Sequence, residues 1–97
     1  MKPIIFSGTT EGRIVSEKLA KQKKEHTVCV TSEYGSGLLH ESGFCSVHTE
    51  KMDSGRMHDF IAEGGFDFVI DATHPYAYEA SRNIKAAAEG LDIQCVR

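Results

Sequence analysis

Three short apolar runs punctuate the chain: Ile4-Ile5-Phe6, Val28-Cys29-Val30 and Phe68-Val69-Ile70. Each is apolar at consecutive rather than alternate positions, is rich in β-formers, and is closely followed by Gly, Ser, Thr or Asp. That pattern predicts strands buried on both faces of a parallel sheet. Two weaker runs, Phe44 to His48 and Ile93 to Val96, bring the expected strands to five. Between the first two strands the period changes. From Arg13 to Lys23, Ile14, Val15 and Leu19 fall on one side, with Arg13, Glu17, Lys21 and Lys24 largely elsewhere, as in an amphipathic helix. Asp53 and Ser54 are candidate N-caps of a second helix with Met57, Phe60 and Ile61 at helical spacing, stopped by Gly64-Gly65. A third helix opens at Pro75, whose missing N–H costs nothing at a first helical position. Its expected buried stripe is Ala77, Ala80, Ile84, Ala87 and Ala88, and Gly90 ends it.

Strands alternating with helices need crossover connections, so the chain is expected to be an α/β protein of Rossmann-like type. The expected architecture is an open parallel sheet in the order 3-2-1-4-5 with helices on both faces. Glu33 to Gly43, with Gly35, Gly37 and Gly43 around Leu38-Leu39, reads either as a loop or as a loop enclosing a short helix.

Composition narrows the class. With 97 residues at 40% hydrophobic content, the chain can bury one core, so residues 1–97 read as one domain. No apolar run approaches the ~18 residues of a membrane span, and Met1-Lys2-Pro3 lacks the layout of a secretory signal, so a soluble, cytoplasmic protein is expected. A net charge of -3, with both signs mixed, argues against a nucleic-acid or membrane partner. Cys29, Cys45 and Cys95 each fall in an apolar stretch and are expected to be buried, reduced thiols. Without a C-x-x-C pair, and with the five histidines scattered, no metal site is expected.

In an open α/β sheet, ligands collect beyond the carboxyl ends of the strands where the strand order reverses. For the order 3-2-1-4-5 that point lies between the first and fourth strands. The loops leaving them are Ser7-Gly8-Thr9-Thr10-Glu11-Gly12 and Asp71-Ala72-Thr73-His74-Pro75-Tyr76, the two most distinctive polar stretches in the chain. Gly8 permits a tight turn and lets backbone N–H groups approach a phosphate, and Thr9 and Thr10 add hydroxyls at the positive end of a helix. Equally, Gly8 can serve only the turn and Thr10 only the helix cap. The stretch departs from G-x-G-x-x-G, because Gly12 stands four residues after Gly8, and it is not a Walker loop. Glu11 would repel phosphates and better suits backbone capping or a ribose.

After the second strand, Glu33 favours the ribose diol of NAD and Ser32 tolerates the 2′-phosphate of NADP; no arginine adjoins them, although Arg13 is within reach. His74 is placed to cap the third helix, to bind a ribose or carboxylate, or to donate a proton. Asp71 reads as a turn-forming carboxylate rather than a catalytic base. Tyr76 and Tyr78 either line the pocket or pack at the surface.

Taken together, Ser7-Gly8-Thr9-Thr10-Glu11-Gly12-Arg13 and Ile70-Asp71-Ala72-Thr73-His74-Pro75-Tyr76-Ala77 resemble the precorrin-6A reductase family of cobalamin biosynthesis. The likeness extends to Thr31–Gly35 and Arg82-Asn83-Ile84, with Ser7 standing where many members have a second glycine. It implies a two-domain reductase of which this chain is the N-terminal, dinucleotide-binding part, the C-terminal substrate domain lying outside it. It also implies hydride transfer from NADPH or NADH to a double bond of a multiply carboxylated tetrapyrrole, precorrin-6A or its cobalt form. NADPH goes with the metal-free branch of the family and NADH with the cobalt branch. By resemblance, Ser7, Gly8, Thr9, Thr10, Glu11, Ser32 and Thr73 bind the cofactor, and His74, Pro75 and Tyr76 the substrate. No catalytic residue is nominated. The competing readings are a non-catalytic nucleotide-sensing domain and an S-adenosylmethionine-binding domain.

Overall fold

The computed structural model describes residues 2–8, 10–30, 44–50, 52–73 and 78–96, with the backbone alone at residues 10 and 11. Five strands, β1 (Pro3–Ser7), β2 (His26–Val30), β3 (Cys45–Thr49), β4 (Phe68–Ala72) and β5 (Gln94–Val96), form one parallel sheet in the order β3-β2-β1-β4-β5. This is the expected order. The three consecutive apolar runs became the central strands, where each residue meets a covered face. Ile4, Ile5, Val28 and Val69 have no exposed surface, and burial of each contributes on the order of 1.5–3 kcal/mol.

Three described helices cover the two faces. Helix α1 (Thr10–Lys21) lays Val15 and Leu19 over Ile5, Val28, Val30 and Cys45. Helices α2 (Ser54–Gly64) and α3 (Tyr78–Ala88) bury Met57, Ile61, Ile84 and Ala87 against Ile4, Phe6, Cys29 and Val69 on the other face. Alternation along the strands separates the two cores: Ile5 faces α1, while its neighbours Ile4 and Phe6 face α2 and α3.

Local chemistry sets the helix ends. Asp53 caps α2, its side chain accepting from Arg56 N at 2.8 Å, and Gly65 ends it in the left-handed conformation, φ 66°. Helix α1 closes with Lys23 N→Ala20 O at 3.0 Å and Lys24 N→Leu19 O at 2.9 Å, the two bonds of a Schellman motif. The left-handed position there is held by Lys23, φ 57°, where glycine is usual. At the amino end of the sheet, Asp67 Oδ2 accepts from Lys2 N at 2.6 Å and Asp67 N donates to Lys2 O at 2.9 Å, clamping the start of β4 to β1.

Four expectations change. Helix α1 starts at Thr10 rather than Arg13, so Thr10, Glu11 and Gly12 carry helical backbone and do not belong to the loop. Ile14 is 42% exposed, because the stripe facing the sheet runs through Gly12, Val15, Ser16 and Leu19, about a hundred degrees away from it around the helix. Ala80 is half-buried, while Ile84, Ala87 and Ala88 are buried as expected. Cys29 and Cys45 are buried, but Cys95 is exposed, since β5 is a three-residue edge strand with little packed on it. The segment Glu33 to Gly43, the Pro75 helix start and Ala77 lie outside the described residues. Among the described residues, no helix is long and apolar enough to cross a membrane.

Candidate functional site

The carboxyl ends of β1 and β4 are adjacent. Ser7 pairs with Ala72 in the last rung of their ladder, and Gly8 N donates to Ala72 O at 3.2 Å. From these neighbouring exits the chain turns opposite ways: β1 leads through α1 to β2 on one face, and β4 leads through α3 to β5 on the other. A crevice opens where such crossovers diverge. Ser7, Gly8 and Thr73 therefore come together, with the first turn of α1 beside them.

Gly8 is exposed, yet its N–H is committed to Ala72 and so is not open to a ligand. Only two residues separate the end of β1 from the start of α1, which forces the helix close to the sheet. Gly12 makes this possible. A Cβ at that position would overlap Ser7 Oγ and lie 2.9 Å from Ser7 Cβ and 3.2 Å from Ala72 Cβ. Close helix-to-strand packing is a role of glycine in dinucleotide-binding turns, and here Gly12 fills it although its spacing from Gly8 departs from the usual fingerprint.

Across the crevice, Asp71 is buried and its Oδ1 accepts from Thr73 N at 3.0 Å and from Thr73 Oγ1 at 2.6 Å. The turn-forming role read from the sequence is the one observed. Because the Thr73 hydroxyl hydrogen goes to the carboxylate, Ser81 Oγ, 3.2 Å away, is the donor to Thr73 Oγ1. Ser81 sits in the first turn of α3, so this contact ties the end of β4 to that turn. Asp71 also reaches β5: burial first, and the Asp71 charge second, hold the Cys95 thiol above its ordinary pKa, with Lys85 opposing.

Of the other expected site residues, Thr10 and Glu11 are placed by backbone in the first turn of α1. Thr9, Ser32, His74, Pro75 and Tyr76 lie outside the described residues. Sequence reasoning missed Ser81, which nothing local marks as a partner of Thr73. It also missed a cluster at the β3 exit, where Glu50 Oε1 lies 3.2 Å from His48 Nε2 and Glu50 Oε2 accepts from Arg56 Nε at 3.1 Å. Among the described residues, no three His, Cys, Asp or Glu side chains gather as metal ligands.

The family model described as "Precorrin-6x reductase CbiJ/CobK" matches residues 3–97. The chain belongs to the precorrin-6x reductase family. Among relatives of this family, the cobalt-precorrin-6A reductase of Methanocaldococcus jannaschii is 36% identical over 98 residues, covering 100% of this chain and 39% of its own. The cobalt-precorrin-6A reductase of Methanothermobacter thermautotrophicus is 33% identical over 84 residues, covering 86% of this chain and 28% of its own. The chain thus spans well under half the length of these precorrin-6x reductase relatives. A solved structure titled "CobK precorrin-6A reductase" shares the fold with a TM-score of 0.83 at 24% identity, over 98% of this chain and 37% of that one.

Proposed function

We propose that this chain is the dinucleotide-binding, N-terminal part of a reductase that moves hydride from NADPH or NADH to a double bond of a corrin precursor, precorrin-6A or its cobalt form. The observation that carries the reading is the meeting of the β1 and β4 exits, Ser7 against Ala72, in a chain of the precorrin-6x reductase family. The residues fit a dinucleotide. Helix α1 begins beside the β1 exit, Gly12 lets its first turn sit against the strands, and Thr73 is held in place by Asp71 and Ser81. Glu11, the carboxylate in that turn, is assigned to the ribose or the backbone rather than to phosphate. Ser7, Gly8, Thr9, Thr10, Ser32 and Thr73 complete the cofactor side, and His74, Pro75 and Tyr76 the substrate side.

The nicotinamide supplies the hydride when bound, so no protein nucleophile is required. What the chain contributes is position: two loops on rigid strands hold donor and acceptor within reach and in line. A second domain, supplied by the rest of the protein, closes over the crevice, binds most of the macrocycle and excludes water. The 97-residue chain alone is accordingly expected to bind cofactor weakly and to turn over little.

The deciding experiment follows oxidation of reduced nicotinamide by the full-length protein with precorrin-6A, in metal-free and cobalt forms. Consumption with one ring and not with solvent alone supports the assignment; no oxidation with either ring rejects it. Thermal stabilisation of this chain by S-adenosylmethionine, but by neither dinucleotide, would reject it as well.

A further inference from the structure

We infer that Asp71 and Ser81 are positioning residues that set the hydrogen-bonding sense of the β4 exit. Acting through Thr73, they leave its side chain able only to accept, so this wall of the crevice takes a neutral donor group and turns a phosphate away. The inference rests on the dinucleotide reading above. Val69 packs with Ile84 and Ala87 of α3, and alternation along β4 brings Asp71 to that same face. Ser81, in the first turn of the same helix, meets Thr73 there.

Counting hydrogens fixes the sense. Thr73 carries two donors, its N–H and its hydroxyl, and both go to one oxygen: Asp71 Oδ1 accepts from N at 3.0 Å and from Oγ1 at 2.6 Å. The hydroxyl has a single hydrogen, so the 3.2 Å contact with Ser81 is donated by Ser81 and occupies one of the two lone pairs on Thr73 Oγ1. One acceptor position is all that the side chain keeps to offer. On the other side of the exit, Gly8 N–H is committed to Ala72 O. The first amide after β1 and the first amide after β4 are thus both spent inside the protein, where an anion-binding turn would leave them open.

Charge argues the same way. Asp71 is buried, so water screens its carboxylate poorly, and a phosphate at Thr73 would meet a negative charge one hydrogen bond behind the surface. A ribose hydroxyl or a carboxamide N–H brings the donor that Thr73 lacks and no charge for Asp71 to oppose. A hydroxyl that donates to a carboxylate is also polarised into a stronger acceptor for the next group in the chain. The bond from Thr73 N alone would close the turn; the bond from Oγ1 adds control of the side chain, and Ser81 restricts the ligand to the remaining lone pair. With the adenosine directed towards β2, as in open sheets of this kind, the part of the dinucleotide that suits this wall is its nicotinamide riboside.

The test measures the affinity of the full-length protein for NADPH and NADH, for their acetylpyridine analogues, which have no carboxamide N–H, for analogues lacking a hydroxyl of the nicotinamide ribose, and for ADP. The native protein is expected to bind the parent dinucleotide about three- to tenfold more tightly than whichever analogue lacks the donor, which tells carboxamide from ribose. Thr73→Val is expected to erase that difference and Thr73→Ser to keep it. Ser81→Ala is expected to reduce it, with ADP affinity within about twofold of native in all three, which also shows that they are folded. Asp71→Asn keeps the shape and removes the charge, and is expected to tighten ADP binding by about twofold or more. Equal native affinity for the parent and every analogue, a selectivity that Ser81→Ala leaves intact, or weaker ADP binding in Thr73→Val or Asp71→Asn overturns the inference and leaves the dinucleotide reading standing. Binding of neither dinucleotide by the native protein overturns both.

Discussion

Gly12 rests against the side chain of Ser7, so closely that no Cβ fits between them. The contact couples the first turn of α1 to the last residue of β1 and fixes where the helix amides point. Gly12→Ala is expected to cost about 1–3 kcal/mol, the range for overpacking a closed contact, and to weaken dinucleotide binding by lifting the turn. Ser7→Gly in the same chain removes both overlapping atoms and should recover much of the stability. Urea denaturation of the two single variants and the double variant measures the coupling; additive effects would show that the two residues do not press on each other.

A second relationship lies at the amino end of β2. Ser16 Oγ is 2.7 Å from His26 Nε2, and His26 Nδ1 is 2.9 Å from Lys24 O, with both side chains buried. A carbonyl only accepts, so Nδ1 carries a proton, and in the neutral ring Nε2 accepts from Ser16. The Cys45 thiol, 3.4 Å from Ser16 Oγ, is then the donor to it. Ser16→Ala leaves the buried Nε2 without its donor and is expected to lower stability by about 1–3 kcal/mol. Chemical denaturation reads this directly, and a loss no larger than that of an exposed serine, such as Ser46→Ala, would contradict the network.

Lys23 holds a left-handed conformation at the end of α1 with an exposed side chain. Replacing it by glycine removes the steric cost of a Cβ there, at the expense of a more flexible unfolded chain. The net expectation for Lys23→Gly is a gain of about 0.5–1 kcal/mol, seen as a raised melting temperature. A lowered one would mean that the Schellman closure does not form in solution.

Much of this fold is legible in the sequence because β1 and β2 are buried on both faces, and β4 on one with the other half-covered, so all three read as unbroken apolar runs. The edge strands are fainter. Ser46 and Gln94 are exposed, so β3 and β5 show only part of the pattern. Helix α1 was read three residues short because Gly12, a poor helix former, stands where helix-to-sheet distance rather than propensity decides. The same helix misled at Ile14, since burial of Ser16 follows from a histidine ten residues away and not from any apolar periodicity. In the candidate site, the Asp71 turn was readable from local chemistry, whereas Ser81 and the Glu50 and Arg56 pair depend on how α3 and α2 return to the sheet.

Exposure of the thiols gives a labelling prediction. Cys95 is exposed, and Cys29 and Cys45 are buried. A maleimide reagent should modify one thiol in the folded chain and all three after unfolding. Labelling of Cys95 is expected to be slow at neutral pH, because burial and Asp71 raise its pKa and thin the thiolate population. Mass spectrometry of the modified peptides identifies the site, and rapid labelling of Cys29 in the folded chain would contradict the packing of β2.

Burial, and after it the charge of Glu50, pushes the Cys29 thiol from 9.0 up to about 12. The unfolded chain therefore releases this proton near pH 9, while the folded chain keeps it until about pH 12. Between those limits the unfolded state binds fewer protons, so stability falls as pH rises, by about 1.4 kcal/mol per pH unit from this group alone. Below pH 9 both states hold the proton and the contribution is constant. Cys29→Ala removes the term, and its stability should decline more shallowly than that of the native chain from pH 9 upward, even though the variant starts lower because of the cavity it leaves. Urea unfolding of both proteins across this range separates the two effects: the cavity displaces the whole curve, the thiol changes its slope. Parallel curves would mean that Cys29 is reached by water in the folded state.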